Sequence, residues 1–240
     1  LFEPPADAAE KDRRREQARQ VARAYVALYR TIPGDMPQEV QDEAYIERMV
    51  RAYPFHPDVI RLLYERWGTL PDFQRTRGVL RILGLVLAER FTSNQHDPLI
   101  LPAHFNLAAG PIRNELLRIV QEPAYASVLD SDVAGPDSKA AAIDASTGRE
   151  LARFQPAVRI ATSIFLWSFT GSTSETRGAS EAQLRVAVLT PTMPPALIGT
   201  TLSELQRRLW YLHTEANTSR FENRANLTRV LVQKEESVTA

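Results

Sequence analysis

The reactive side chains that dominate this sequence are guanidinium groups. Of its 29 lysines and arginines only Lys11, Lys139 and Lys234 are lysine. A guanidinium keeps its proton at ordinary pH and presents a planar fork that matches phosphate and carboxylate oxygens. Mechanisms built on a lysine amine are correspondingly disfavoured. Two arginines stand out by position. Arg75 and Arg77 fall in the first turns of a helix expected to open at Pro71-Asp72, where orphan backbone N–H groups point outward. A second basic group, Arg13, Arg14, Arg15, Arg19 and Arg23, lines one face of the first helix, interleaved with Asp12 and Glu16. Such a run can be a nucleic-acid patch, and the interleaved acids favour a solvated face. Asp130 and Asp132 could hold a divalent cation, but two carboxylates without further ligands more often mark a turn.

The familiar catalytic motifs are missing. No glycine is followed by lysine, so no G-x-x-x-x-G-K-[ST] loop is present, and neither is G-x-G-x-x-G, G-x-S-x-G or H-E-x-x-H. His56, His96, His104 and His213 lie too far apart to form a helical ligand pair, and His56, between two prolines and beside aromatic residues, reads as a packing histidine. Trp67, Trp167 and Trp210 read as core anchors. The absence of cysteine removes thiolate nucleophiles, disulfides and cysteine metal sites, and it suits a reducing cytosol. Acidic and basic residues balance at 29 each, so no global basic field draws in nucleic acid. No apolar run is long enough to span a membrane. The chain opens at Leu1 without a basic-then-apolar leader, which suggests an interior piece of a longer cytoplasmic protein.

The elements that must position these groups are mostly helical. Periodicity predicts helices over 8–30, 38–51 and 57–67, the last started by Pro57 and stopped by Gly68. A long helix to about Thr92 is apolar nearly all round (Val79, Leu80, Ile82, Leu83, Leu85, Val86, Leu87) and is expected at the centre of a bundle. Residues 93–110 form a polar connection with a short extended piece at Leu99-Ile100-Leu101. Short helices follow over 111–120 and near 138–145. Beyond Leu151 come a helix through Trp167, a Ser/Thr-rich loop from Gly171 to Gly178, a helix with a Ser180/Gln183 capping box, and a helix from Ala196 to Leu209. Strands near 210–214 and 219–222 follow, then a last helix near Ala225. Three helices and a hairpin are the layout of a winged helix. The expected fold is therefore mostly α: a helical bundle over 1–105, a mixed connector over 106–150, and a winged-helix-like α+β part with a small β hairpin over 151–240.

Several uncommon strings occur in order along the chain. They are Tyr53-Pro54-Phe55-His56-Pro57, Leu63-Tyr64-Glu65-Arg66-Trp67, Phe73-Gln74-Arg75-Thr76-Arg77-Gly78-Val79-Leu80-Arg81, Thr162-Ser163-Ile164-Phe165-Leu166, Gly178-Ala179-Ser180-Glu181 with Leu184-Arg185, Leu209-Trp210-Tyr211-Leu212-His213, and Asn226-Leu227. With them the chain resembles the bacterial AAA-type ATPase family catalogued as domain of unknown function 499. The resemblance covers nearly the whole chain, but the P-loop and acidic Mg-binding strand of the complete family are absent. It implies the C-terminal lid and winged helix of an ATPase module whose upstream core, in the same polypeptide, binds ATP and Mg2+; this piece alone is expected to bind neither. It also implies company with DNA methyltransferases and nuclease or phage-defence modules.

The resemblance places Arg77, with Arg75 as alternate, like the sensor arginine of origin-type ATPases, which reaches the γ-phosphate from the lid. A recognition helix over 196–209 would offer Thr200, Thr201, Ser203, Gln206 and Arg207 to duplex DNA, while Arg220, Arg224 and Arg229 would grip its backbone. The apolar head Met193-Pro194-Pro195-Ala196-Leu197-Ile198 suits protein packing better than a DNA groove. A stand-alone DNA-binding module and a helical protein-interaction scaffold are the competing readings.

Overall fold

The Asp7 carboxylate accepts the Glu10 amide and so starts α1 (Ala8–Arg30), a helix with Tyr25, Val26 and Tyr29 inward and its arginine face in solvent. In this computed structural model, residues 7–95, 97–171 and 176–226 are described. Arg19 pairs with Glu16 and Glu47, and Arg14 with Glu10, so the basic run is a charge-laced surface. A short 3-10 turn at Gln38–Gln41 precedes α2 (Glu43–Ala52), which lies along α1 with Tyr45, Ile46 and Met49 buried. The third helix, α3 (Pro57–Arg61), widens into a π-helical turn at Leu62–Arg66 and tightens at Trp67–Thr69. Helix α4 (Arg75–Thr92) follows, then α5 (Gly110–Val120), α6 (Tyr125–Val128), a second π-helical turn at Leu129–Val133, α7 (Lys139–Ser146) and α8 (Arg149–Ala152).

The centre of the molecule is α9 (Pro156–Trp167), and the expectation that α4 would occupy it is overturned. Nearly every residue of α9 is buried, and it touches α7, the Pro102–His104 turn and the elements that follow it. On α4 only Gly78, Val79, Ile82, Val86 and Arg90 are buried; Leu80 is 65% and Phe91 72% exposed. The physical reason lies in charge spacing. Arg75, Arg77, Arg81 and Glu89 recur around α4 and hold part of its girth in water, whereas Arg159 is the one charged residue of α9. Asp144 of α7 caps α9 from a distance: its carboxylate accepts the Ala157 and Val158 amides at 2.8 and 3.0 Å.

Strand β1 (Ala179–Ser180) leads into α10 (Glu181–Val188) through the expected capping box, with Ser180 and Gln183 bonding each other's backbone. Helix α11 (Ala196–Arg208) then leads to β2 (Leu212–Glu215) and β3 (Thr218–Phe221). The antiparallel sheet runs β1-β3-β2, with Ala179 opposite Ser219 and Thr214 opposite Ser219 on the other side. Gly178 enters β1 at φ +100, with the Ser219 carbonyl pressed where a Cβ would stand, so only glycine fits. The molecule is thus a helical bundle joined to a small α+β part. Its buried apolar residues form one continuous cluster from Ala22 to Phe221. The helix expected near Ala225 lies, beyond Asn226, outside the described residues. Among them, no helix is long and apolar enough to cross a membrane.

The β2–β3 turn places Ala216 at φ 46 and Asn217 at φ 64, the double left-handed geometry of a tight hairpin turn. Asparagine tolerates that region and alanine does not. Ala216→Gly is expected to raise unfolding stability by about 0.5–1 kcal/mol. An unchanged or lower denaturation midpoint would show that the turn is unstrained.

Candidate functional site

The head of α4 is built by a close approach. Gly78 lies against the Phe73 ring, where an added Cβ would stand 3.2 Å from two ring carbons. That contact folds the chain back on itself just before the helix, and Arg75 takes a φ of 32 at the bend. No acidic residue occupies the first turn of α4, and Gln74 makes no side-chain cap. The amides that open the helix therefore keep their positive end toward solvent.

Arg75 and Arg77 are both exposed there, and neither forms an ion pair with any described residue. Asp72, a possible partner, accepts instead from the Gln121 side-chain amide. Arg77 lines an open hollow of about 640 Å³ with Gln74, Gly78, Leu80, Arg81, Glu115 and Arg118. Glu115 is buried, and its carboxylate meets Arg81 at 3.2 Å and Arg118 at 2.8 Å. Two guanidinium groups, Arg81 and Arg118, thus share one carboxylate, and Arg77 lines the same hollow. An electropositive hollow of this kind can receive a phosphate or an external carboxylate. Arg81, Arg118 and Glu115 were not singled out from sequence. The Glu115/Arg118 spacing on α5 was the only local signal, and nothing in it shows that α5 packs beside α4.

The α11 and hairpin candidates are scattered by comparison. Thr200 and Ser203 are exposed and donate to the helix carbonyls of Ala196 and Gly199. Thr201 is a correction: it is 7% exposed, on the packed side of α11, and cannot reach a groove. The Gln206 amide donates to Ser219 at 3.3 Å and ties α11 to the sheet. Arg207 pairs with Glu204 on its own helix. Arg220 is held between Glu215 at 3.0 Å and Glu222 at 2.8 Å. Arg224 is exposed and lends its carbonyl to His213 Nε2 at 2.9 Å. Arg229 lies outside the described residues.

The aspartate pair at 130 and 132 splits. Asp130 takes a two-point contact from Arg113 in solvent, and that hydrogen bond holds its carboxyl low. Asp132 turns inward, where burial raises its pKa; it accepts the Tyr211 amide at 2.7 Å and faces Lys139 at 3.6 Å. Lys139 also lies over the Trp210 ring, 3.0 Å from its centroid. These contacts bind the hairpin to the bundle, and among the described residues no group of three acidic, His or Cys side chains could hold a metal ion. Trp67 and Trp167 are the expected core anchors, whereas Trp210 is partly exposed.

A family model described as "DUF499 second domain" matches residues 7–222. The chain belongs to that family. No curated protein and no solved structure matches it. The match spans both the bundle and the α+β part of the DUF499 second domain, so the arginine hollow and the β2–β3 hairpin lie inside the family's own boundaries.

Proposed function

We propose that this DUF499 second domain is the regulatory and coupling segment of a cytoplasmic AAA-type P-loop ATPase. In this reading the bundle is a lid over a nucleotide held by the upstream core of the same polypeptide, which binds ATP and Mg2+. The α+β part passes the nucleotide state to a partner in DNA modification or phage defence, either duplex DNA or a methyltransferase or nuclease subunit. The observation that carries the reading is Arg77: exposed, without an ion pair among the described residues, and aimed into a hollow shared with Arg81 and Arg118. Transferring phosphate oxygens carry spread negative charge, and a guanidinium from the lid stabilises it without losing its proton. The chain's own contribution is that charge; the metal belongs to the core.

Two further features support the reading. The order α9, β1, α10, α11, β2, β3 with sheet order β1-β3-β2 supports a winged-helix reading of the α+β part. Leu80 and Phe91 are exposed on α4, with the partly buried Leu83 and Leu87 between them at helical spacing, an apolar stripe suited to a core surface. That stripe equally favours an interaction scaffold. A stand-alone DNA-binding module is the weaker alternative, because Gln206, Arg207 and Arg220 already have partners within the domain.

The test is ATP turnover of the intact parent. Arg77→Ala is expected to lower turnover at least about tenfold with nucleotide binding retained, and Arg77→Lys to restore only part of it. Wild-type turnover in both Arg77→Ala and Arg75→Ala would overturn the reading.

A further inference from the structure

A second cavity containing arginines lies away from the α4 head and takes no part in the proposal above. It opens between the end of α4, the Pro102–His104 turn and the first turn of α9, encloses about 450 Å³, and is lined by Arg90, His104, Asn106, Gln155 and Arg159 among others. Each polar group in it has a defined balance of partners. Arg90 is buried and pairs with Asp97, and its second terminal nitrogen reaches the His104 carbonyl at 3.5 Å. His104 is buried, and its Nδ1 accepts the Leu101 amide at 3.3 Å, which puts the ring proton on Nε2. That Nε2 makes no well-aligned hydrogen bond; the Leu99 carbonyl lies near the ring and the Asp97 carboxylate stays 3.9 Å away.

Arg159 is the exception in the cluster. It is partly buried in α9, and no described residue comes within ion-pair distance of its guanidinium. Burial lowers its pKa, with the field of Asp97 opposing that and the field of Arg90 adding to it. Asp144 spends both its oxygens on the α9 amides, so its charge reaches Arg159 only as a field and not through a direct ion pair. Glu89 at the cavity wall accepts the Asn106 side-chain amide at 2.8 Å and keeps its negative charge. A desolvated guanidinium without a counter-ion is costly unless an anion completes it. Nearby, the buried Tyr25 hydroxyl also lacks a partner.

We propose that this cavity binds a phosphoryl anion, held by Arg159 and Arg90 with His104 Nε2–H as a third donor. Guanidinium forks match tetrahedral oxyanions in two-point contacts, and the cavity has room for more than the phosphate itself. Inorganic phosphate and the phosphate of a nucleoside monophosphate share this chemistry, and a titration separates them.

The experiment uses the 240-residue chain, whose sequence has no P-loop to bind phosphate in its place. Inorganic phosphate and adenosine monophosphate are titrated separately at constant ionic strength against chloride, by calorimetry and by melting temperature. Binding with Kd below about 1 mM and a rise in melting temperature are expected with phosphate. Arg159→Met is expected to weaken binding by about tenfold or more while leaving melting without phosphate unchanged or higher, because an uncompensated charge has been removed. Monophosphate binding more than about tenfold tighter than inorganic phosphate assigns the nucleotide as source; equal binding assigns the free anion. No response to either anion, or an equal response in wild type and Arg159→Met, overturns the site. So does a melting temperature that falls in Arg159→Met without phosphate, which would make Arg159 a structural partner.

Discussion

Between pH 7 and pH 4 His56 alone is expected to remove about 3 kcal/mol of the folded chain's stability. His56 is fully enclosed. Its Nδ1 accepts the Asp58 amide at 3.1 Å as the cap of α3, and its Nε2 faces the Tyr29 and Tyr45 hydroxyls at 3.3 Å each. Burial, with a smaller push from Arg61, lowers its pKa from 6.5 to about 3. Below pH 6.5 the unfolded chain takes up a proton that the folded chain refuses. The stabilisation is therefore complete above that value and drains away as pH falls toward 3. Burial lowers His104 in the same direction. Asp58 opposes the trend. Burial raises it from 3.8 to about 6, so the folded state keeps a proton there that the unfolded state releases, and part of the acid loss is offset. Burial also raises Asp132 and Asp144, which adds to the offset.

His56→Asn isolates the effect. Asparagine is a good helix cap, so the Asp58 amide keeps an acceptor while the titrating ring is removed. The variant is expected to be less stable at pH 7, having lost the tyrosine contacts, and to show a pH 7-to-4 stability change about 3 kcal/mol smaller than wild type. Urea denaturation followed by circular dichroism at the two pH values measures this. Parallel pH profiles for variant and wild type would exclude His56 as the source.

Trp67→Ala is expected to cost about 3–5 kcal/mol, a large share of the total stability of a domain. Trp67 is fully buried, and its ring meets Phe169 edge-on at 5.5 Å. Its indole N–H donates to the Leu166 carbonyl at 2.8 Å, across 99 residues of sequence. Truncation would open a cavity at the seam between the α3 turn and α9 and strand that carbonyl. Trp67→Phe keeps most of the ring and loses only the hydrogen bond, so an intermediate loss is expected. A loss under about 1 kcal/mol for Trp67→Ala would show that the seam relaxes around the gap.

Much of this architecture was legible because its cues are local. The Ser180/Gln183 capping box, Pro57 at a helix start, the strand–turn–strand before residue 222 and the periodicity of α1 each depend on a few neighbouring residues. Their shared prediction of a helical bundle with a small hairpin part matches the structure. The arginine pair at the α4 head was legible for the same reason, since its position follows from the bend at Pro71 and the helix that begins after it.

What tertiary structure alone decided is which helix occupies the middle and which charges meet. Apolar content marked both α4 and α9, and only packing shows that α9 is enclosed while α4 leaves Leu80 and Phe91 in solvent. Thr201 looks like its neighbours Thr200 and Ser203 until α11 is rotated against the core. The approach of Glu115 to Arg81, of Asp132 to Tyr211, and of Arg159 to Arg90 and His104 joins residues far apart in the chain. No period or spacing encodes such meetings. They follow from the balance between burying apolar surface and leaving each buried charge a partner, and that balance is struck only when the whole chain has folded.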